Sequence, residues 1–208
     1  PDSSIYALDN DASRVVKMDS SGNLITKFGS SGSGDGQFNY PKGITVDSSG
    51  NVYVMDTNNS RVVKFDSSGN FLLNFGSSGS GDGEFSYPVG ITVDSVGNVY
   101  VMDNNHKRIV KFDSSGNFLL NFGSYGSGDG EFSYPVGISV DSNGNVLVAD
   151  SDKKNIQRFT PNGEYIESFG KQASREAFIG GIIGVAGLFD LVMPTVRNST
   201  SNIDFSID

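Results

Sequence analysis

Cysteine and tryptophan are absent from the 208 residues, and there is one histidine, His106. Without cysteine, neither a disulfide framework nor a thiolate metal site can form. One imidazole cannot build a zinc or iron centre that needs several histidines from a single chain. His106 sits in Asp103-Asn104-Asn105-His106-Lys107-Arg108, which reads as a turn, and so as a surface residue. Charge is sparse and mostly acidic, with a formal net charge of −9. Nucleic-acid binding rests on neutralising phosphates, so that balance argues against such a partner. Long apolar runs are missing too, apart from one stretch near the C-terminus. The chain opens on Pro1 rather than Met, as a processed or partial precursor would, so the lack of a leader is uninformative.

What is present is a repeat. Pro41, Pro88 and Pro135 are 47 residues apart, as are Asp9, Asp56, Asp103 and Asp150. Lys64 to Ile91 matches Lys111 to Ile138 with one change, Ser78 against Tyr125. A period of this size, with several short strands per unit, marks a β-propeller or a related array. In one unit, Gly43 to Asp47 is β-rich and closes on Asp47-Ser48-Ser49-Gly50-Asn51, a turn cluster. Val52 to Met55, apolar on both faces, suits a strand sandwiched between neighbouring sheets. Arg61 to Phe65 is a third strand, more polar and so expected further from the centre. Phe71 to Gly76 is the fourth, which makes a four-stranded antiparallel blade. The Ser77 to Glu84 loop crosses to the next unit, with Phe85, Tyr87 and Pro88 as expected anchors.

The units resemble the NHL repeat. Pro-x-Gly-Ile, Gly-Asn-Val-Tyr-Val-x-Asp, Arg-Val-Val-Lys-Phe, Gly-Asn-Phe and Phe-Gly, then Gly-Asp-Gly-Glu-Phe, match that pattern over residues 2–170. The resemblance implies an all-β propeller, and it implies little about activity, because such propellers include enzymes, RNA binders and scaffolds. The family usually closes with more blades than this chain supplies. Its lyases use metal-binding histidines, which one His106 does not provide. Near-identical blades point the same way, since a catalytic pocket needs different groups from different blades. The expectation is therefore no enzyme, with no catalytic residues, no metal and no cofactor. The Gly-Ser-Gly-Asp-Gly loops at 32–36, 79–83 and 126–130 lack a P-loop lysine and a full carboxylate set, and read as structural.

The ends carry the functional expectation. Pro1 aligns with Ser48, so the first blade lacks its innermost strand in this register, and Phe205-Ser206-Ile207-Asp208 matches Ile138 to Asp141 in pattern. Residues 203–208 are thus expected to pair with Ile5 to Leu8, Ile5 and Tyr6 foremost, with Phe205 and Ile207 on one face, in cis or in another copy. Such a strand would cover an edge that otherwise templates aggregation. About four blades result, and a four-bladed ring is the simplest arithmetic. Between 171 and 202 the repeat stops, and Phe178, Ile182, Val185, Phe189 and Val192 recur at helical spacing before Pro194. The almost uncharged run from Ala177 to Met193 is shorter than the ~20 residues of a membrane span and carries Asp190. Three placements fit it: across a membrane, which is disfavoured, against its own propeller, or against other copies.

The reading is a structural, extracellular or cell-surface propeller over 1–170 that self-assembles as a homo-oligomer or helical filament. An apolar assembly segment (171–202) and a closing strand (203–208) follow. Asn58-Asn59-Ser60 and Asn198-Ser199-Thr200 are sequons open to covalent glycans. A lyase- or lactonase-like enzyme at the ring's central opening, or a peptide- or sugar-binding module on one face, is the alternative.

Overall fold

The computed structural model describes residues 3–170. The first sheet has three strands, β1 (Ile5–Asp9), β2 (Arg14–Met18) and β3 (Leu24–Phe28). Two short strands, β4 (Ser30–Ser31) and β5 (Gln37–Phe38), pair in parallel along the crossing loop. The second sheet runs β6 (Pro41–Val46), β7 (Val52–Asp56), β8 (Arg61–Phe65) and β9 (Phe71–Phe75). A second crossing pair, β10 (Ser77–Ser78) and β11 (Glu84–Phe85), leads to β12 (Pro88–Val93), β13 (Val99–Asp103), β14 (Arg108–Phe112) and β15 (Phe118–Phe122). The fourth sheet is β16 (Pro135–Val140), β17 (Val146–Asp150), β18 (Asn155–Phe159) and β19 (Tyr165–Phe169). Each is an antiparallel meander, one blade of a propeller.

Short-range chemistry sets the hairpins. In Asp19-Ser20-Ser21-Gly22-Asn23, Asp19 Oδ1 accepts the N–H of Ser21 and of Asn23, and the Asn23 amide donates to Asp19 Oδ2 at 2.9 Å. Asp47, Asp66, Asp94, Asp113 and Asp141 repeat this arrangement with Asn51, Asn70, Asn98, Asn117 and Asn145. The glycine of each turn is left-handed, as Gly116 is at φ 84°, where a side chain is strained. Innermost strands start two residues earlier than expected, at the prolines, and a bulge follows each, between Pro88 and Gly90 for example. Proline has no N–H for the ladder, so a strand start with a bulge is where it fits.

The core lies between blades. Phe65 packs on Phe28 of the preceding blade and on Phe38 of the crossing loop. Phe112 does the same with Phe75 and Phe85, and Phe159 with Phe122 and Phe132. Strands β7 and β13 are buried along their whole length, as their two apolar faces require. The third strand lies outside the second, as its polarity suggested, yet most of it is buried. Lys64 is buried, its ammonium standing 5.0 Å from the Tyr53 ring centre and donating to Ser114 O at 2.8 Å in the next blade.

Packing runs from first to second, second to third and third to fourth blade. No comparable packing joins β16–β19 to β1–β3, so the described residues do not close the expected four-bladed ring. The expected helix in 171–202 and the strand 203–208, with Phe178, Ile182, Val185, Phe189, Val192, Phe205 and Ile207, lie outside the described residues. Among the described residues no helix is long and apolar enough to cross a membrane.

Candidate functional site: a tyrosine face over buried aspartates

The 47-residue period of Asp56, Asp103 and Asp150 has a physical origin. All three carboxylates are buried at the end of a blade's second strand. Asp56 Oδ1 accepts the Asn39 N–H at 2.6 Å, and its Oδ2 accepts Arg61 Nε at 2.9 Å. Arg61 in turn donates to the carbonyls of Gly34 and Gln37 in the crossing loop. Asp103 holds Ser86 N–H and Arg108 likewise, and Asp150 holds the N–H groups of Ser133 and Tyr134. In the fourth blade Asn155 stands where the arginine would be, and Lys153 and Gln157 reach the Glu131 carbonyl instead. Recurrence in every blade suits a hairpin-capping role for these aspartates, and the structure adds a longer-range one. They anchor the crossing loop that enters each innermost strand.

That anchoring fixes a tyrosine just before each proline. Tyr40, Tyr87 and Tyr134 are 51%, 41% and 50% exposed. The expected anchors thus divide: Phe85 and Pro88 are buried, and Tyr87 is not. Tyr40 and Tyr87 have φ of 54° and 53°, a left-handed backbone that costs a non-glycine residue about 1–2 kcal/mol. Strain of this kind persists where the surroundings over-determine it, here by the carboxylate bonds one residue earlier. Lys42 lies between the first two rings, donating to Tyr87 Oη at 2.6 Å and standing 5.1 Å from the Tyr40 ring centre. Lys107 stands 5.3 Å from the Tyr134 ring centre.

His106 belongs to the same end of the blades. Its Nδ1 is 2.7 Å from Asp103 Oδ2, the oxygen that also accepts from Arg108. A carboxylate accepts, so Nδ1 donates, and Nε2 is the nitrogen left for chemistry. Asn58 is exposed in the 3-10 turn Thr57–Asn59, its amide donating to Asn39 Oδ1 at 3.2 Å. Asn198 lies outside the described residues. Ile5 is half-exposed on the open side of β1, and Tyr6 faces Lys17, 5.3 Å from its ring centre.

At the other end of the strands, a cleft of about 210 Å³ is lined by Asp47, Asn51, Lys64, Ser95, Val96 and Ser114. Burial, with Asp47 beside the phenol, pushes the Tyr53 hydroxyl well above its ordinary value. Since Lys64 already binds Ser114 O, that cleft is an inter-blade seam. The crossing loops are also structural in form. In each, the side chain of Gln37, Glu84 or Glu131 accepts the N–H of Gly34, Gly81 or Gly128.

Comparison with known proteins agrees with this architecture. Residues 38–65 are an NHL repeat, and residues 95–171 match a 6-bladed β-propeller family. No curated protein matches the chain. Among solved structures, virginiamycin B lyase from Staphylococcus aureus, in a catalytically inactive histidine-to-alanine form with quinupristin, is similar at TM-score 0.62 and 20% identity. That match covers 83% of this chain and 54% of the lyase. A streptogramin B lyase is similar at TM-score 0.62 and 21% identity, over 82% and 52%. A chain of a nidogen/laminin complex reaches 0.58 at 15% identity, over 80% and 59%. The chain spans about half the length of the lyases, and at these identities the likeness is one of fold.

The expectation that the chain is no enzyme is corrected by these matches, because its fold is one on which lyases are built. The physical premise behind that expectation fails as well. At one position of the turn after the second strand, successive blades carry Ala12, Asn59, His106 and Lys153. Different groups from different blades are available on this face after all.

Proposed function

We propose that the chain is an assembly-forming propeller, in which a strand from another copy completes the blade at β1. The observation that carries this reading is Ile5. It is 48% exposed, while Val52, Val99 and Val146, in the same register of the other blades, are 0% exposed. Among the described residues β1 pairs with β2 alone, and its other edge corresponds to the one filled by β6, β12 and β16. An unfilled edge beside an apolar face invites strand addition. Phe205 to Asp208 has the pattern of the filling strand, and one-way donation between copies grows either a ring or a filament. Sedimentation of the full chain and of a chain lacking 203–208 tests this. Assembly that disappears with the deletion supports the reading, and two equally monomeric proteins refute it.

A second reading has its own observation, the imidazole of His106 held by Asp103 at 2.7 Å and partly open to solvent. It assigns to this face a lyase-type proton transfer, with His106 Nε2 as the base. Lyase activity of the chain on a streptogramin B, lost in His106→Ala, would support it. No turnover by the folded chain would remove it.

A further inference from the structure

The tyrosine face carries an inference that neither assembly nor lyase chemistry contains. We propose that Tyr40, Lys42 and Tyr87, extended by Lys107 and Tyr134, form a binding strip for an acidic polysaccharide. Three exposed rings recur once per blade, each placed before a proline and locked by a buried carboxylate through the preceding residue. Two of them are kept in a left-handed backbone that asparagine or glycine would adopt with less strain. Packing does not account for that choice, because the rings are half in water. Tyrosine is a rigid amphipathic platform whose ring face attracts apolar C–H groups and whose hydroxyl bonds polar ones. The C–H face of a pyranose ring fits it.

The charges set the sign of the ligand. In a chain of net charge −9, this strip presents Lys42 between the Tyr40 and Tyr87 rings and Lys107 beside the Tyr134 ring. Lys42 has three donors, and one goes to Tyr87 Oη. Its ammonium is 4.5 Å from the Tyr87 ring centre, so the Tyr40 and Tyr87 rings are no further apart than the lysine can bridge. Asp56 and Asp103 beneath the strip are buried and matched by Arg61 and Arg108. Asp152, 3.4 Å from Ser133 Oγ, is an acidic neighbour at the Tyr134 end, which places the strongest subsite at Tyr40–Lys42–Tyr87. A polymer with one sugar ring and one carboxylate per unit matches two rings that share an ammonium group and a third ring with a lysine of its own. An acidic peptide supplies the charge without the stacking face.

Titration of the full-length protein with polygalacturonate, dextran and polyglutamate tests the assignment. Polygalacturonate binds, and the other two bind at least about tenfold more weakly. Lys42→Ala and Tyr87→Asn each weaken polygalacturonate binding about tenfold or more, while Val96→Ser, at an exposed turn on the opposite face, leaves it unchanged. Tyr87→Asn also melts no lower than the parent, because asparagine tolerates the left-handed backbone. Polyglutamate binding as tightly as polygalacturonate would overturn the proposal, as would no binding or undiminished binding by both variants. A large loss of thermal stability in Tyr87→Asn would assign the tyrosine to folding instead.

Discussion

The rings of Phe28 and Phe65 meet across the seam of the first and second blades, with centroids 4.9 Å apart. The same contact returns at 5.0 Å between Phe75 and Phe112 and at 5.0 Å between Phe122 and Phe159. One aromatic per blade thus joins the outer strand of one sheet to the third strand of the next. Phe112→Ala should remove about 3–5 kcal/mol of stability, read from urea unfolding, because it leaves a cavity at a seam the neighbouring blade cannot collapse into. A loss under ~1 kcal/mol would mean that the seams contribute little.

Glycines in the turns separate backbone strain from crowding. Gly22 and Gly116 both have φ of 84°. A Cβ on Gly22 meets nothing within 4 Å, whereas one on Gly116 would lie 2.7 Å from Phe75 Cβ. Gly22→Ala should therefore show only the cost of a left-handed alanine, about 1 kcal/mol. Gly116→Ala should lose clearly more, since it also pushes on the aromatic seam. Equal losses in thermal or urea unfolding would contradict this packing.

The hairpin aspartates predict acid sensitivity. The side-chain amides of Asn23, Asn70 and Asn117 hold Asp19, Asp66 and Asp113 below the ordinary aspartate value of 3.8, assisted by backbone N–H groups. A lowered folded value means that the stabilisation is complete above 3.8 and is lost as pH falls through the folded values. The melting temperature should stay level from neutral pH to about pH 5 and fall below about pH 4. Replacing the three asparagines with alanine should make that fall shallower. An unchanged profile would show that these bonds do not couple to folding.

Much of this fold was legible because the 47-residue period repeats the strands and turns together. Val52–Asp56 and Arg61–Phe65 lie within a residue of where alternation and turn chemistry put them. The crossing-loop pair Glu84–Phe85 with Ser77–Ser78 was not, because two-residue parallel pairing leaves no period. The tyrosine face was missed for a different reason. Tyr-Pro recurs at 40–41, 87–88 and 134–135, and the signal was there, but aromatics beside a proline read as core. Their exposure follows from the buried aspartates, which hold the preceding residue and aim the ring outward. That bond spans 17 residues from Asn39 to Asp56 and is invisible to local pattern. His106 was legible as a turn residue, while its carboxylate partner needed the three-dimensional turn.

The most direct measurement of the account uses the absence of native cysteine. In the repeat, Val46 pairs with Val52 and Val140 with Val146, so under the proposed strand addition Ile207, aligned with Val140, would fall opposite Ile5. Residues opposite each other on adjacent strands are close enough for a disulfide. A chain carrying Ile5→Cys and Ile207→Cys, oxidised in its assembled form and run on a non-reducing gel, should give a ladder of covalently linked copies. Either single variant should give no more than a dimer. Thiols that stay free, or a cross-link confined to the monomer, would contradict completion of the blade by a neighbouring copy.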